Sequence, residues 1–79
     1  MNAKEIKEKV EKPFDYLGKY IGEKIKVYLK NGEIIEGEIV AFDIHLNLVL
    51  SNVLVKKEEE ELNLESLFVR GDNILYVFY

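Results

Sequence analysis

The sequence predicts a mainly β protein, in which a short N-terminal helix precedes a five-stranded, strongly bent antiparallel barrel of the SH3-like type. Three observations lead to this prediction. Apolar and polar residues alternate along most of the chain after residue 24, which is the pattern of half-buried strands. Short polar clusters containing glycine or asparagine separate these stretches, as tight turns do. One predicted strand contains a glycine, which permits the sharp bend that a small barrel needs.

Length and composition limit how the chain can be stabilised. Its 79 residues suffice for one domain, and 48% hydrophobic with 33% charged residues is a globular composition. A core of this size contributes about 3–5 kcal/mol net, so small domains often depend on disulfides, metals or oligomerisation. With no cysteine and one histidine, we expect oligomerisation. No apolar stretch is long enough to span a bilayer or to form a signal-peptide core, so we expect no membrane partner and a cytoplasmic location.

The chain is acidic, with a net charge of −4 and a pI near 5.0. This charge alone argues against a protein that binds nucleic acid mainly through its phosphates. Four consecutive glutamates, Glu58–Glu61, equal the whole excess of negative charge. They follow the third predicted strand, and we interpret them as the solvated tip of a hairpin.

The first twelve residues form a charged N-terminal extension, rich in Lys and Glu, for which we expect partial helical order. The domain itself is predicted over residues 13–79. It begins with a short amphipathic helix over about residues 13–21, because Pro13 suits a first helical turn. Apolar residues follow in that helix at spacings of three and four: Phe14, Leu17 and Ile21. Gly22 is its expected end.

Two strands joined by a hairpin follow the helix. The first is predicted from Lys24, with alternate apolar residues at Ile25, Val27 and Leu29. The dipeptide Asn31-Gly32 is a strong hairpin signal and predicts a type I′ turn. The second strand is predicted from about Glu33 to Phe42. Its predicted inward face consists of Ile35, Gly37, Ile39 and Ala41.

Three further strands complete the predicted sheet. The third covers about Leu46 to Lys56, and a long fourth strand begins beyond the acidic hairpin tip. The apolar alternation in the fourth strand changes phase near Glu65-Ser66, which predicts a bulge there. The last strand starts at Ile74 and is apolar on both faces, so it needs cover on both sides.

Two polar clusters lie between strands: Asp43-Ile44-His45-Leu46-Asn47 and Arg70-Gly71-Asp72-Asn73. In the first cluster, alternate aliphatic residues are predicted to be buried, so that His45 and Asn47 point to the opposite side. Those aliphatic residues are Ile44, Leu46, Leu48 and Leu50. In the second cluster, Gly71 allows a positive φ at a sharp bend, and Arg70 projects beside it.

The chain resembles the Sm and Sm-like (LSm) protein family in both clusters. Gly32, Gly37 and the run from Phe42 to Leu50 are similar to the first Sm motif, and the run from Phe68 to Ile74 is similar to the second. The run from Pro13 to Leu17 looks like the start of the family's N-terminal helix. The Arg-Gly-Asp-Asn sequence is similar to that of archaeal and eukaryotic Sm-like proteins rather than to bacterial Hfq. The small single domain favours an archaeal-type Sm-like protein.

The resemblance implies the Sm fold and a closed ring of identical copies, with seven copies preferred over six. In such rings the fourth strand of one copy pairs with the fifth strand of the next. That pairing would cover the apolar last strand, whose free edge is otherwise a liability. The resemblance implies neither an enzyme nor a cofactor. The residues agree with this, because there is no cysteine nucleophile and the Asp43/His45 pair offers at most two metal ligands.

The resemblance also implies that U-rich single-stranded RNA binds at the inner rim of the ring. The residues that this carries over are His45, Asn47, Arg70 and Asp72 as RNA-binding residues, with Asp43 and Gly71 shaping the loops. Imidazole and guanidinium planes can stack on a base, and a carboxamide matches uracil O4 and N3–H. A rotated carboxamide would suit cytosine. The hypothesis therefore requires a contact that fixes Asn47, either the Asp43 side chain or the backbone near Gly71.

Several of these residues also have structural interpretations. Asp43 is better explained as an acceptor for backbone N–H groups at the strand end than as a base contact. Arg70 could pair with an acidic neighbour instead of a base, and Asp72 is open between turn formation and base contact. The aromatic residues near the terminus and in the first strand are interpreted as core or interface residues: Tyr28, Tyr76, Phe78 and Tyr79.

The function expected from these observations is RNA processing or turnover, in which the ring acts as a platform or an RNA chaperone. RNA-processing proteins are then the expected protein partners. The alternative is a structural ring or interaction scaffold with little RNA affinity, which the acidic pI makes credible.

Overall fold

The computed structural model describes residues 13–79, so the predicted extension over residues 1–12 lies outside the described part. The predicted helix begins at Pro13 but is shorter than expected, since its α-helical part, α1, is Pro13–Leu17. A 3₁₀ turn at Gly18–Tyr20 follows, and Gly22 ends the segment with a φ of 87°. Five strands complete the chain: β1 (Lys24–Leu29), β2 (Ile34–Phe42), β3 (Leu48–Lys57), β4 (Glu60–Val69) and β5 (Ile74–Phe78).

The five strands form one antiparallel sheet in the order β4-β3-β2-β1-β5. This confirms the mainly β fold with a short N-terminal helix and a strongly bent five-stranded sheet. The barrel is open, because β4 and β5 are the outer strands of the sheet. Within residues 13–79, no helix is long and apolar enough to cross a membrane.

An aliphatic core fills the concave side of the sheet. Nine side chains, each at most 4% exposed, form it: Leu17, Ile25, Val27, Ile35, Ile39, Leu48, Leu50, Val53 and Val69. Burial of one such side chain contributes about 1.5–3 kcal/mol. Leu17 therefore supplies enough free energy to hold the short helix α1 on the sheet, although a helix of this length is not stable alone.

The sheet bends where Gly37 of β2 crosses β3. The pairing register shifts by one residue between Glu36 and Glu38, and Asn52 of β3 has a φ of 52° at the same place. A Cβ on Gly37 would lie 3.2 Å from both the Leu50 Cβ and the Ser51 carbonyl oxygen. The prediction that this glycine permits a bend and a close backbone approach is confirmed.

The bulge predicted near Glu65-Ser66 is wrong. The pairing of β3 with β4 keeps one register from Leu48↔Val69 to Lys57↔Glu60. The phase change in the apolar pattern of β4 is nevertheless reproduced, since Leu64 and Leu67 both pack against the core. It follows from the irregular backbone at Asn52 of β3, because β4 stays in register with β3 and bends with it.

A second register shift in β2 overturns the inward position predicted for Ala41. The shift lies between Ile39 and Ala41, where Val40 is an extra residue that is 51% exposed. Beyond this bulge the alternation changes phase, so Ala41 is exposed and Phe42 packs against the core.

The β1–β2 hairpin has the predicted position but not the predicted type I′ turn. A type I′ turn needs positive φ at both central residues, and of Asn31 and Gly32 only Gly32 has it, at 92°. The Gly32 N–H donates to the Leu29 carbonyl at 3.0 Å, and the Asn31 side-chain oxygen accepts from the Glu33 N–H at 3.0 Å. The asparagine therefore acts through its side chain and leaves the positive φ to glycine.

The acidic hairpin tip is smaller than predicted. Glu58, with a φ of 54°, and Glu59 form the turn between β3 and β4. Glu60 and Glu61 belong to β4, where they lie opposite Lys57 and Lys56 of β3. Opposite charges in facing positions stabilise a strand pair, so half of the acidic block supports the sheet.

Candidate nucleic-acid interface

Asp43 organises the turn between β2 and β3. One oxygen of its carboxylate accepts the backbone N–H groups of His45 and Asn47, at 2.9 and 3.1 Å. The backbone closes the same turn, because the Leu46 N–H donates to the Asp43 carbonyl at 2.9 Å. The predicted role of Asp43 as an acceptor of backbone N–H groups is confirmed.

The predicted burial of Ile44 and Leu46 is wrong. Ile44 is 75% exposed, and Leu46 is exposed with a φ of 59°. Because the turn made by Asp43 interrupts the extended backbone, the alternation of β3 starts only at Leu48, which is buried. The turn, and not a strand, therefore determines where His45 and Asn47 lie.

Gly71 opens the 3₁₀ turn between β4 and β5, Gly71–Asn73. The positive φ predicted for Gly71 is wrong, since the positive φ angles found for glycine are those of Gly22 and Gly32. Glycine is required here for a different reason. A Cβ on Gly71 would overlap the carbonyl oxygen of His45 and lie 2.9 Å from the Leu46 carbonyl carbon. The two turns are in backbone contact, and no larger residue fits between them.

The carboxamide of Asn47 connects the two turns. Its Nδ2 donates to the second carboxylate oxygen of Asp43 at 2.9 Å, and its Oδ1 accepts the Gly71 N–H at 2.8 Å. The sequence analysis required one of these two contacts to fix the amide, and the structure contains both. A carboxamide has two donor hydrogens and two acceptor lone pairs. One N–H and one lone pair of Asn47 thus stay available for a ligand.

Electrostatics keep Asp43 ionised. The hydrogen bond from the Asn47 side chain, followed by the backbone N–H groups of Asn47 and His45, lowers the pKa of Asp43 below its usual value. A carboxylate that only accepts hydrogen bonds selects the nitrogen end of the Asn47 amide as its neighbour. The orientation of that amide therefore follows from the charge state of Asp43.

A surface cleft is lined by five of the six residues singled out in the sequence: His45, Asn47, Arg70, Gly71 and Asp72. His45 is exposed and Asn47 is half-buried. Asp43 does not line the cleft, but it is hydrogen-bonded to two residues that do, His45 and Asn47. The structure thus brings together all six predicted residues, although 24 residues separate Asn47 from Gly71 in the chain.

Arg70 and Asp72 pair with each other inside the cleft. The guanidinium Nη2 lies 3.1 Å from the Asp72 carboxylate, and both side chains are more than 60% exposed. Such an exposed pair contributes little to stability. It does hold the guanidinium beside the turn, so the acidic neighbour of Arg70 is a residue of its own turn. Among residues 13–79, no three His, Asp or Glu side chains are grouped so that they could hold a metal ion.

A second group of exposed side chains, all aromatic, lies outside this cleft. Tyr76 and Phe78 are 57% and 51% exposed in the single chain, so they are not core residues, and the prediction that they are interface residues stays a prediction. Together with Tyr28 they form a ring cluster on the outer face of β1 and β5. The signal in the sequence was their alternation with the inward residues Val27 and Val77, which puts all three rings on the opposite face.

Comparison with known proteins gives one consistent family. The model of the LSM domain matches residues 15–78. The SmAP (LSm) protein from Methanococcus vannielii is 41% identical, with a TM-score of 0.80 over 90% of this chain and 99% of that one. The Pyrococcus abyssii Sm protein, solved in complex with a uridine heptamer, is 30% identical, with a TM-score of 0.79 over 86% of this chain and 97% of that one. A heptameric archaeal Sm protein is 28% identical, with a TM-score of 0.75 over 81% of this chain and 94% of that one.

Proposed function

This chain belongs to the LSM domain family, similar to archaeal Sm-like proteins, and on that basis we propose that it forms a ring that binds U-rich single-stranded RNA. Seven copies are preferred over six, and the RNA lies at the inner rim. The proposal has support from two relatives, one heptameric and one bound to a uridine heptamer. The ring, its size and its ligand are proposals for this chain.

The observation that carries the proposal is the fixed carboxamide of Asn47. With one N–H held by Asp43 and one lone pair occupied by Gly71, the remaining N–H and lone pair face the cleft in a defined order. Uracil offers O4 as an acceptor and N3–H as a donor, which complete both groups. Cytosine offers the reverse pattern at the same two atoms, so the fixed amide disfavours it. Good bidentate pairs of this kind discriminate between bases by about 1–3 kcal/mol.

Two flat side chains at the same cleft provide the affinity. The His45 imidazole and the Arg70 guanidinium both line it, and both are exposed. Stacking of a base on such planes contributes about 1–3 kcal/mol per base. Asp72 positions the guanidinium through the 3.1 Å ion pair, which favours positioning over base contact as its role.

The edges of the sheet support the proposed ring. The outer strands β4 and β5 both carry large apolar side chains that are more than half exposed: Leu62 and Phe68 on β4, and Leu75 on β5. An exposed apolar edge strand is prone to aggregate unless another chain covers it. Pairing β4 of one copy with β5 of the next removes both edges at once, and each buried apolar Å² contributes roughly 25 cal/mol. A head-to-tail contact of this kind closes into a ring when its rotation divides a full turn.

The acidic charge is compatible with RNA binding because of where it lies. The Glu58-Glu59 turn is at the far end of β3 from Asn47, and this strand of ten residues spans about 33 Å. Exposed charges are largely screened beyond about 8 Å at physiological ionic strength. Binding by stacking and base-edge hydrogen bonds also neutralises few phosphates, so the affinity should depend weakly on salt.

The proposed role is that of a platform or chaperone in RNA processing or turnover, with RNA-processing proteins as partners. The cytoplasmic location stays a prediction. The competing hypothesis is a structural ring with little RNA affinity. The net charge of −4 favours it, while the hydrogen-bonded cleft favours RNA.

A titration with two homopolymers tests the proposal. Labelled oligouridine and oligocytidine of equal length are added to the intact protein at fixed salt, and fluorescence anisotropy gives both affinities. We expect tighter binding of oligouridine. Native mass spectrometry of the same samples gives the number of copies and of bound strands. Assembly without measurable affinity for either RNA would favour the scaffold, and a monomer at micromolar concentration would contradict the ring.

A further inference from the structure

Three aromatic rings lie side by side on the convex face of the sheet, at its β5 edge. Tyr28 of β1 is in register with Tyr76 of β5, and Phe78 is in register with Lys26. The ring centroids are 5.0 Å apart for Tyr28 and Phe78, 6.1 Å for Tyr76 and Phe78, and 6.5 Å for Tyr28 and Tyr76. We call Tyr28, Tyr76 and Phe78 the aromatic cluster. The core lies on the other face, where Val27 is fully buried.

Two lysines share the convex face with the aromatic cluster. Lys24 and Lys26 are exposed and alternate with the buried Ile25 and Val27. Lys24, Lys26 and Phe78 line one surface cleft, together with Ile25, Glu36 and Tyr79. The cluster is therefore flanked by positive charge on the β1 side.

The carboxylates that face these lysines are engaged elsewhere. Glu36 is in register with Lys26, but its carboxylate lies 2.9 Å from the ammonium of Lys56 in β3. Glu38 is in register with Lys24, and its carboxylate accepts a hydrogen bond from the Asn52 side chain at 3.0 Å. Both carboxylates thus have a partner on β3, although Glu36 also lines the cleft with Phe78 and offsets part of the charge of the two lysines.

This composition fits single-stranded nucleic acid better than a protein partner. A stable protein interface buries about 800 Å² per partner around a core from which lysine is depleted. The cluster consists of three side chains of roughly 150–250 Å² each, and they partly cover one another. Its exposed area is therefore smaller than that of a stable protein interface, and lysines border it. Aromatic faces beside cationic side chains are the elements with which proteins bind single strands without sequence preference.

We infer that the aromatic cluster, with Lys24 and Lys26, is a second contact surface for single-stranded RNA, separate from the His45–Arg70 cleft. The rings take bases by stacking, and the two ammonium groups contact phosphates. Because every base has a π-face, this surface accepts bases without discrimination, whereas the cleft selects uracil. The inference does not depend on the cleft, so it can be tested with the cleft disabled.

The test uses the full chain carrying His45→Ala and Arg70→Ala, titrated with an oligoadenosine of about 20 nucleotides. Anisotropy should still report binding. Tyr76→Leu and Phe78→Leu are then added, because leucine keeps an apolar side chain of similar bulk but removes the aromatic ring. The affinity for oligoadenosine should fall at least tenfold, since loss of one stacked base lowers affinity roughly fivefold or more. The matched control, Tyr76→Phe with Phe78→Tyr, keeps both planes and should keep the affinity.

The lysines are tested by salt dependence. Lys24→Gln with Lys26→Gln should reduce the slope of log affinity against log salt by about 0.7 per lysine. Lys57→Gln should leave the slope unchanged, because Lys57 lines a cleft with Val55 on the core side of the sheet. Ultraviolet crosslinking of wild-type protein to the same RNA should label Tyr28, Tyr76 or Phe78. This readout needs no substitution, so it holds even if a variant does not fold.

Three results would overturn the inference. The first is absence of oligoadenosine binding once the cleft is disabled. The second is crosslinks confined to the turns at residues 43–47 and 70–73. The third is loss of assembly, in native mass spectrometry, by the leucine variant but not by the control, which would identify the cluster as a contact between copies.

Discussion

The backbone N–H of Gly71 donates a 2.8 Å hydrogen bond to the side-chain oxygen of Asn47, 24 residues earlier in the chain. This bond joins the turn before β3 to the turn before β5 and, with Asp43, fixes which end of the Asn47 amide faces the cleft. Two polar clusters that are separate in the sequence become one site through it. Substitutions of Asn47, Asp43 and Gly71 test this contact.

Substitution of Asn47 should mainly reduce base selectivity, whereas substitution of Arg70 should mainly reduce RNA affinity. Arg70→Ala removes a stacking plane and a positive charge, so it should weaken oligouridine and oligocytidine alike. Asn47→Ala leaves both planes but removes the groups that read the base edge. It should cost on the order of 1–3 kcal/mol of discrimination per base, magnified by several sites on one strand. Paired titrations of both RNAs measure this. If the assembled Asn47→Ala protein kept its full preference for uridine, the base edge would have to be recognised by Asp72 or by a backbone group.

Asp43→Asn should reduce uridine selectivity more than it reduces affinity. A carboxylate can only accept, so it selects the nitrogen of Asn47, whereas a carboxamide at position 43 can match either end of that amide. The Gly71 N–H would then be the remaining contact that selects the amide oxygen, and any fraction of the amide that rotates against it would accept cytosine. Asp72→Asn is the matched control, because it removes the same charge from the cleft without touching Asn47. Equal loss of selectivity in both variants would indicate a charge effect instead of a lost orientation.

Gly71→Ala should separate the two turns. A Cβ at this position would overlap the His45 carbonyl oxygen, so the backbone must move. We expect a loss of about 1–3 kcal/mol in the free energy of unfolding and weaker RNA binding. Gly18→Ala is the control, since its Cβ would lie 3.8 Å from the Phe42 ring, an ordinary contact. Urea unfolding measures both variants. A Gly71→Ala protein as stable as Gly18→Ala would contradict the close contact.

Phe68→Glu or Leu75→Glu should break the ring while leaving the fold intact. Both side chains are more than half exposed, one on each edge strand, so a charge there costs little within one copy. It costs much more if the next copy covers it. Sedimentation should show monomers with unchanged circular dichroism. Val40→Glu, equally exposed but in the interior strand β2, should stay assembled. Rings that persist in both edge variants would show that the copies do not associate through β4 and β5.

Acid should remove the contribution of the Glu36–Lys56 ion pair. The hydrogen bond from Lys56 lowers the pKa of Glu36, and the same contact raises the pKa of Lys56. The contribution of Glu36 is thus present above its unfolded pKa of about 4.3 and is lost as pH falls through its lower folded pKa. The contribution of Lys56 is lost only as pH rises through its raised pKa.

Glu36→Gln should therefore melt below wild type at pH 7, and the two melting temperatures should converge as the pH falls through the lowered pKa of Glu36. Glu59→Gln, in the exposed hairpin turn, is the control for the loss of one surface carboxylate outside this ion pair. Thermal denaturation at several pH values measures this. A constant difference between Glu36→Gln and wild type would show that the side chain acts by packing.

The sequence alone predicted most elements of this protein and the residues that come together at the candidate cleft. The alternation in β1 and β5, the hairpin signal at Asn31-Gly32 and the helix stop at Gly22 are local properties, and local structure follows from them. Two motifs of specific composition sufficed to relate the chain to the Sm family. Asp43 could be assigned correctly as well, because an acidic side chain at a strand end has backbone N–H groups within its own turn to bind.

Only the tertiary structure decided how those elements meet. The bend at Gly37 is predicted correctly, but the bulge predicted near Glu65-Ser66 is absent. The phase change in β4 follows from the irregular backbone at Asn52, since strands that stay paired share one curvature. Gly71 was expected for its φ, but the backbone of a distant turn leaves no room for a side chain there. The sequence records which residues are small or polar. Which distant backbone they lie against depends on the packing of the whole sheet, and that contact fixes Asn47.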